Sequence, residues 1–600
     1  MKKILFLLLL SLSLSAQTPI HKIQGSGGTS PLVGEKVIVR GIVTGTFLGK
    51  DRLNGFFIQE AEPDEDESTS EGIFIYDPAG KFNGKKGDYV QVSGQVAELK
   101  SPKSSLTQIK DITEIVTLSE KKKFPKPVVL NLPIENPEQY EGMLVKIKGP
   151  LFVTEMYQMG RFGQITLSVD GEGNAEGTDG RLDQFTQFHR PDPAAYRDYL
   201  AEAEKRKIIL DDGSGLRNPS NLPFGREGHS FDMFHAIRGG DISKEVVGIL
   251  DDRFDAFRIQ PTEKVYFKPK NKRESTPGKL PKGTNLTVAA FNVLNYFNGD
   301  GKGGGFPTER GASSLEELKR QQDKTVNVIL ASGADVVTLM EIENDGFDEH
   351  SAIQTLIKAL NEKSGGTRQF VACENPDRGW DAIVSALLYD SKKVQPVGAM
   401  VTMPDGYGSA SFDSTRRKPV IQTFSTLKEN EVFTVVGVHF KSKGVQSPGE
   451  GNEDLLDGQG RNNKLRVQQA EDLKNWLATR PTGTDDPDYI LMGDFNSYAM
   501  EDPLIYLDEQ GYHPLFPATS YSYVYDGFWG SLDHALATPT MKSQVKKAVK
   551  WHINSDEAPV LDYNMEYKSA EQIKSYYDAS PFRSSDHDPI IIRLKLSTAR

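Results

Sequence analysis

A chain of 600 residues is too long for one hydrophobic core and calls for roughly two to four domains. Its 37% hydrophobic and 26% charged residues exclude wholesale disorder. A net charge of −12 argues against broad, sequence-independent nucleic-acid binding, which needs positive surface to displace counterions, but leaves room for a nuclease with a local basic patch and metal ions.

The chain opens "MKKILFLLLLSLSLSAQ", a basic start, an apolar run and a small residue at Ala16. That is the pattern of a secretory signal peptide over residues 1–16, too short for a membrane span, and it predicts a secreted protein, extracellular or periplasmic. No later stretch approaches about 20 apolar residues, so no membrane association is expected. The sole cysteine, Cys373, permits no internal disulfide and reads as a small core residue.

Residues 19–119 carry short alternating runs, "GEKVIVRGIVTG", "NGFFIQE", "EGIFIYD" and "GDYVQVSGQVAEL", between Gly-rich and acidic turns. They predict an all-β barrel or sandwich. Residues 125–267 contain "YEGMLVKIKGPLFVTE", an echo of "VGEKVIVRGIVTGTF", and predict a second, diverged β-rich barrel with a polar insertion. Within that insertion "DGEGNAEGTDGR" imitates a calcium loop, but Ala175 stands where Gly is needed and Arg181 where a ligating Glu is needed. Residues 268–283, "KPKNKRESTPGKLPKG", read as a linker.

From residue 284 to 600 apolar strands alternate with helical patterns, which predicts a layered α/β domain. "SSLEELKRQQDKTVNVILAS" offers two capping-box pairs, Ser313 with Glu316 and Ser314 with Glu317, ahead of one apolar face. Several strands here finish on a residue capable of chemistry. "LTVAAFN" ends at Asn292, "ADVVTLMEIE" carries Glu341, "FTVVGVHF" delivers His439, and "YILMGDFN" delivers Asp494 and Asn496. "SLDHALA" and "SSDHDPI" supply Asp533, His534, Asp586 and His587. Alone, each reads as a turn former, a cap or a core histidine. Together, acids, amides and histidines at strand ends are the ingredients of metal-assisted phosphoryl chemistry.

Asp533 and His534 point to opposite faces of a strand, and Asp533 is the one expected to line the site. Asp588 reads as a cap on the Pro589 turn. Lys441, Lys443, Arg461, Lys464 and Arg466 form either a grip on flanking phosphates or a solvated charged loop. Tyr523 and Trp529 either stack on a base or pack in a core.

The stretches "AFNVLNYF", "LMEIEN", "VVGVHFKSKG", "LMGDFNSYAMEDP", "YSYVYDGFWGSLDHAL", "WHIN" and "FRSSDHDP" resemble the endonuclease/exonuclease/phosphatase superfamily. More narrowly they resemble its bacterial extracellular nuclease branch, across nearly all of Thr284 to Leu596, and the leading β region resembles that branch's OB-fold-like module. The resemblance implies one or two OB-fold-like barrels followed by a DNase I-like α/β sandwich. It implies that Glu341, with Asn292 and Asp586, holds a divalent metal, Mg²⁺ or Mn²⁺ by ligand hardness, with Ca²⁺ as a further option.

In the same reading Asp494 orients and deprotonates the attacking water, and Asn496 donates to the phosphate or fixes that water. His587 acts as acid or base, oriented by Asp533, while His439 binds phosphate or assists the leaving group with no orienting acid assignable. The expected reaction is in-line phosphodiester hydrolysis leaving 5′-phosphate ends. DNA is the expected substrate, with RNA also open, and no obligate protein partner is evident. Two alternatives stand beside it: a phosphodiesterase or phosphatase for lipid, inositol or nucleotide substrates, and a noncatalytic nucleic-acid-binding protein, which the intact residue set argues against.

Overall fold

The computed structural model describes residues 17–169, 180–375, 377–415 and 417–597. The leader over residues 1–16 and the body of the calcium-loop imitation, residues 170–179, lie outside the described residues. No helix among the described residues is long and apolar enough to cross a membrane.

Five strands open the structure: β1 (Lys36–Phe47), β2 (Gly55–Gln59), β3 (Gly72–Tyr76), β4 (Tyr89–Ser101) and β5 (Ser104–Thr117). They close into a barrel in the order β1-β2-β3-β5-β4, with only the β3–β5 contact parallel. The alternation seen in the sequence turns Val37, Val39, Ile58, Ile73, Ile75, Val90 and Val92 inward onto one core.

The next strands are β6 (Val128–Leu130), β7 (Leu144–Glu155), β8 (Ile165–Ser168), β9 (Leu182–Asp183), β10 (Lys207–Leu210), β11 (Ile242–Arg253) and β12 (Ala256–Pro261). Their sheet runs β11-β12-β10-β8-β7-β6, and β7 also pairs with β11, so five of these strands close a second ring. In this ring β10–β12 is the parallel contact and the other four are antiparallel. Strand for strand that is the topology of the first barrel. The connection from β8 to β10 carries the helix Pro193–Lys205, N-capped by Asp192, and the short turn of helix Phe185–Phe188.

The segment 268–283, expected as a linker, is fastened to its neighbours. Lys268 N donates to Ile242 O (2.7 Å), Arg273 forms a bidentate pair with Glu557, and Trp551 donates to Glu274 O (2.7 Å).

The remaining strands are β13 (Leu286–Tyr296), β14 (Val336–Glu343), β15 (Phe370–Ala372), β16 (Ile383–Asp390), β17 (Val394–Thr402), β18 (Val420–Thr426), β19 (Val432–His439), β20 (Tyr489–Asp494), β21 (His513–Pro514), β22 (Tyr523–Tyr525), β23 (Phe528–Gly530), β24 (Asp533–Ala537), β25 (Val545–Lys550) and β26 (Ile590–Leu594). Two six-stranded sheets result, β15-β16-β14-β13-β26-β25 and β17-β18-β19-β20-β24-β21. They pack face to face through Val288, Met340, Leu387, Phe424, Ile490 and Met492, with Cys373 buried in the same core.

Helices Leu315–Ser332 and Ala352–Lys363 cover the outer face of the first sheet, and helices Asn463–Ala478 and Asp502–Glu509 that of the second. Covering both faces explains why these strands read as continuous apolar runs. Of the two capping pairs, Ser314 is the N-cap, accepting from Glu317 N (3.2 Å), while Glu317 reaches back to Ser313 N (2.6 Å).

Candidate active site

Within the sandwich β13 pairs parallel with β14, and β19 parallel with β20, so all four strands deliver their C-terminal ends to one edge. The antiparallel strands β24 and β26 begin at that edge, beside β20 and β13. Asn292, Glu341, His439, Asp494, Asp533 and the 586–587 pair therefore converge although nearly 300 residues separate the first from the last. The two parallel strands of the first sheet are broken where they meet the site. Register shifts after Asn292 and after Leu339, and Glu341 has φ 69°, a left-handed conformation costly for a residue with a side chain. The break turns Glu341 toward the cleft instead of continuing the alternation.

Asn292 is buried and its amide nitrogen donates to both Glu341 Oε1 (3.1 Å) and Asp494 Oδ2 (3.3 Å), while its oxygen accepts from Leu294 N (3.1 Å). Expected as a metal ligand, Asn292 here holds two carboxylates in place. Asn295 N donates to the other oxygen of Glu341 (2.9 Å). Asp586 takes only a long hydrogen bond from Ser585 Oγ (3.3 Å). Burial raises Glu341 above the usual carboxylate range and the charge of Asp586 raises it further. Two hard carboxylates whose charges bear on each other suit one divalent cation, so Glu341 and Asp586 would hold it.

Asp533 accepts from His587 Nδ1 at 2.8 Å and from Ser522 Oγ at 2.7 Å. Burial opposes a charge on His587, yet Asp533 and then Asp586 carry its imidazole well above the ordinary histidine range. The ring of Tyr523 lies 4.6 Å from that of His587. One ligand-type atom from each of Asp494, Asp533 and His587 falls within 4.8 Å of the others, a compact acid–base trio. Burial lifts Asp494 to about 7, and Asn496 N fixes its Oδ1 at 2.8 Å. Asn496 itself, at φ 48°, donates its side-chain amide to Phe440 O (3.0 Å), which ties β19's end to β20's.

His439 differs from His587 in that, among the described residues, no carboxylate is hydrogen-bonded to its ring. Its Nε2 accepts from Arg417 Nη1 (3.0 Å) and lies 3.6 Å from Asp494 Oδ2, while its Nδ1 is buried without a hydrogen-bond partner among the described residues. Burial and then Arg417 hold it well below the ordinary histidine value, so it is neutral. Arg417 is braced by Asp381 (3.0 Å), which Arg310 also pairs with (3.3 Å). None of these three is marked in the sequence: Arg310 and Arg417 sit in loops where nothing tells which basic side chain turns inward.

Three expected substrate contacts are corrected. Lys443 Nζ sits on Glu501 (2.6 and 2.7 Å) and Gln459 O (2.5 Å), and burial lowers it to about 8. Arg466 is fully buried and donates to Arg461 O and Gln459 O (both 2.8 Å), with Glu501 at 3.8 Å. Trp529 is buried and its indole donates to Thr154 O (2.9 Å) on the second ring. All three hold loops together. Lys441 stays beside Arg417, Asp381 and Arg310, and Arg461 and Lys464 bond to loop carbonyls.

His534 is buried on the opposite face, against Ser497 O (2.9 Å) and Ser531 O (2.8 Å), as strand alternation predicts. Asp588 does not cap the Pro589 turn. It is buried, pairs with His552 (2.9 Å) and gathers the backbone N–H groups of Ile553, Asn554 and Ser555.

The second ring reaches the trio through one relay. Gln187 Oε1 accepts from Ser531 N (2.9 Å), Ser531 Oγ donates to Asp533 O (2.8 Å), and Asp533 holds His587. β9 pairs with β23, and buried Arg238 joins Asp556 (3.2 Å) and Glu557 (2.9 Å) across the same seam. A cleft of about 1130 Å³ runs along this seam from Asp586 and Arg583, past Tyr523, to Tyr157 and Phe257 of the second ring.

No curated protein matches the chain. Among solved structures, the catalytic domain of human Nocturnin is 15% identical, with 51% of this chain and 93% of that one covered, at a TM-score of 0.32. A mannosyl-6-phosphatase of Bacteroides thetaiotaomicron is 16% identical, covering 52% and 99%, TM-score 0.32. TDP2 of D. rerio, complexed with a single-strand DNA product, is 12% identical, covering 51% and 97%, TM-score 0.30. Residues 289–587, the two-sheet sandwich with its whole strand-end cluster, match the Endonuclease/Exonuclease/phosphatase family, whose members are in general hydrolases of phosphoesters.

Proposed function

We propose that the chain is a secreted, divalent-metal-dependent nuclease that hydrolyses phosphodiester bonds of DNA by in-line attack of an activated water. The observation that carries this reading is the compact trio at the strand ends, where Asp494, Asp533 and His587 each bring one ligand-type atom within 4.8 Å of the others and Asp533 holds His587 Nδ1 at 2.8 Å. Asp494, with its carboxyl near 7, accepts the proton of the water, while His587, kept charged by Asp533, presents a cation to the phosphate. Neutral His439 and the adjacent Arg417 face the same cleft and contact the phosphate oxygens on the other side. A divalent cation held by Glu341 and Asp586 would neutralise phosphate charge and stabilise the leaving oxygen. Asn292 and Asn496 keep the carboxylates at their posts.

The leader over residues 1–16 supports secretion, and the strand order of the first barrel supports an OB-fold-like module. Exposed rings at Tyr157 and Tyr525 offer stacking surfaces along the cleft for bases.

One observation favours a second reading. The cleft wall carries Glu155, Glu204, Asp252, Asp255 and Asp526 against Lys103, Lys205 and Lys207, a balance that suits a phosphoester with an uncharged, hydroxyl-rich leaving group better than a long polyanion. The two readings separate in one assay. Purified protein is incubated with plasmid DNA, RNA, bis-p-nitrophenyl phosphate and a sugar monophosphate, each with Mg²⁺, with Mn²⁺ and with chelator. Cleavage of DNA that chelator abolishes is expected. Turnover confined to the sugar phosphate would replace the nuclease reading with the second one, and cleavage in chelator would remove the metal from both.

A further inference from the structure

Apart from the strand-end cluster, on the stretch of cleft wall that Asp252 lines, three carboxylates meet where the first ring abuts the second. Glu138 and Glu141 come from the connection just before β7, and Asp252 from β11. One oxygen from each lies within 4.8 Å of the others. Oxygens that share one Ca²⁺ at about 2.4 Å lie at most about 4.8 Å apart, so each pair of this cluster is within the span that one ion bridges. Glu141 and Asp252 are 1% and 6% exposed, and Glu138 is partly buried. The nearby arginines are committed elsewhere, Arg253 to Asp251 (2.5 Å) and Arg258 to Asp211 (2.7 Å).

A second observation points to a ligand. Glu141 Oε1 accepts from Thr107 N (3.0 Å) and Gln24 Nε2 (3.3 Å), both in the first ring's region, whereas its Oε2 is buried with no hydrogen-bond partner among the described residues. A buried carboxylate oxygen without a donor is expensive, and crowding it with like charges makes it more so. Both regions nonetheless hold the acids in position, since Ser105 N of β5 donates to Asp252 Oδ2 (3.0 Å).

We propose that Glu138, Glu141 and Asp252 form a calcium site that fastens the first ring to the second. The donors are all hard oxygens in an irregular, partly buried setting, which Ca²⁺ tolerates and Mg²⁺, with its demand for octahedral geometry and retained waters, does not. Burial and then Glu138 lift Glu141 well above the usual carboxylate range, and burial and then Asp252 lift Glu138 to about 7, a cost that a divalent cation at this point cancels. The charge of Glu98 on β4 also bears on both glutamates, while its own oxygens accept from Ser30 N, Thr107 Oγ1 and Ser105 Oγ.

The test uses the full chain carrying Glu341→Gln, which removes the catalytic carboxylate from the readout, compared with the same chain also carrying Glu141→Gln. Calcium should raise the first protein's melting temperature by about 3 °C or more over its value in chelator. In the second protein that rise should vanish, and in chelator it should melt at or above the first, because the amide relieves repulsion. Magnesium should reproduce less than half of the shift. Calorimetric titration with Ca²⁺ at room temperature, on samples with matching circular dichroism, should find one site in the first protein that the second lacks. A calcium response that survives Glu141→Gln, or an equal response to magnesium, overturns the proposal. So does no response at all with Glu141→Gln the more stable protein in every buffer, which would mean that shared protons hold the acids together.

Discussion

The two rings share one strand order, yet they stand in different relations to the two-sheet sandwich. The first meets the second through contacts such as Gln59 to Leu144 N (3.0 Å) and Phe57 and Leu106 packed on Leu144 and Ile249. The second sends Gln187 to Ser531, Thr154 to Trp529, Thr186 to Glu501 (2.9 Å) and Arg238 to Asp556. Apart from Thr154, at the end of β7, the strands do not make this difference. The connections do: β2 leads to β3 through residues 60–71, whereas β8 leads to β10 through residues 169–206, including a helix and the turn that carries Gln187. A ring becomes part of an active site by what is inserted between its strands, because a closed barrel has no free edge to offer.

The comparison can be broken at four points. The largest effect belongs to the cleft itself: Asp494→Ala or His587→Ala should lower turnover by about 10² or more, with the melting temperature little changed. Because Asp494 holds its proton up to about 7 and must lose it to act, wild-type turnover should fall about tenfold per pH unit below 7, measured as initial rates across pH. A flat profile there would remove Asp494 from the proton's path.

Next comes Lys443→Ala. It leaves Glu501 buried beside Arg466 alone, so it should cost about 3 kcal/mol in denaturant unfolding while KM stays put. A raised KM with unchanged stability would restore Lys443 to the substrate.

Ile75→Ala, in the first ring's core, should cost about 2–4 kcal/mol for that ring without changing kcat. Loss of kcat would show that the first ring acts on the cleft after all. The smallest effect is expected from Gln187→Ala in the second ring. Losing its bond to Ser531 N should reduce kcat about three- to tenfold by loosening Asp533, shift the alkaline limb of the pH profile, and leave KM alone. An unchanged kcat and profile would sever the relay.

Much of the site was legible because strand chemistry is local. An apolar run with period-two side chains tells which residue ends the strand and which face it takes, so Asp494, Asp533 and His587 could be named, and His534 set aside, from their positions alone. The acid beside His587 was expected from the family resemblance alone, and the structure lays the strand that Asp533 begins next to Asp494. The direction of long charged side chains was not. Lys441, Lys443, Arg461 and Arg466 look alike in sequence, and each carries enough methylene length to turn toward solvent, cleft or core. Glu501 decided between them by drawing Lys443 and Arg466 inward, and it lies far from both along the chain.

The sequence by itself determined the kinds of element, the acids and histidines placed at strand ends, and the echo between the two β regions, since all of these depend on neighbours in the chain. Only the tertiary structure decided that β7 and β11 close the second ring, that Gln187 buttresses Asp533, that Arg417 rather than an acid faces His439, and that three carboxylates meet between the rings. Each of those is a pairing across a long loop, and its energy depends on burial and on partners that no local pattern encodes.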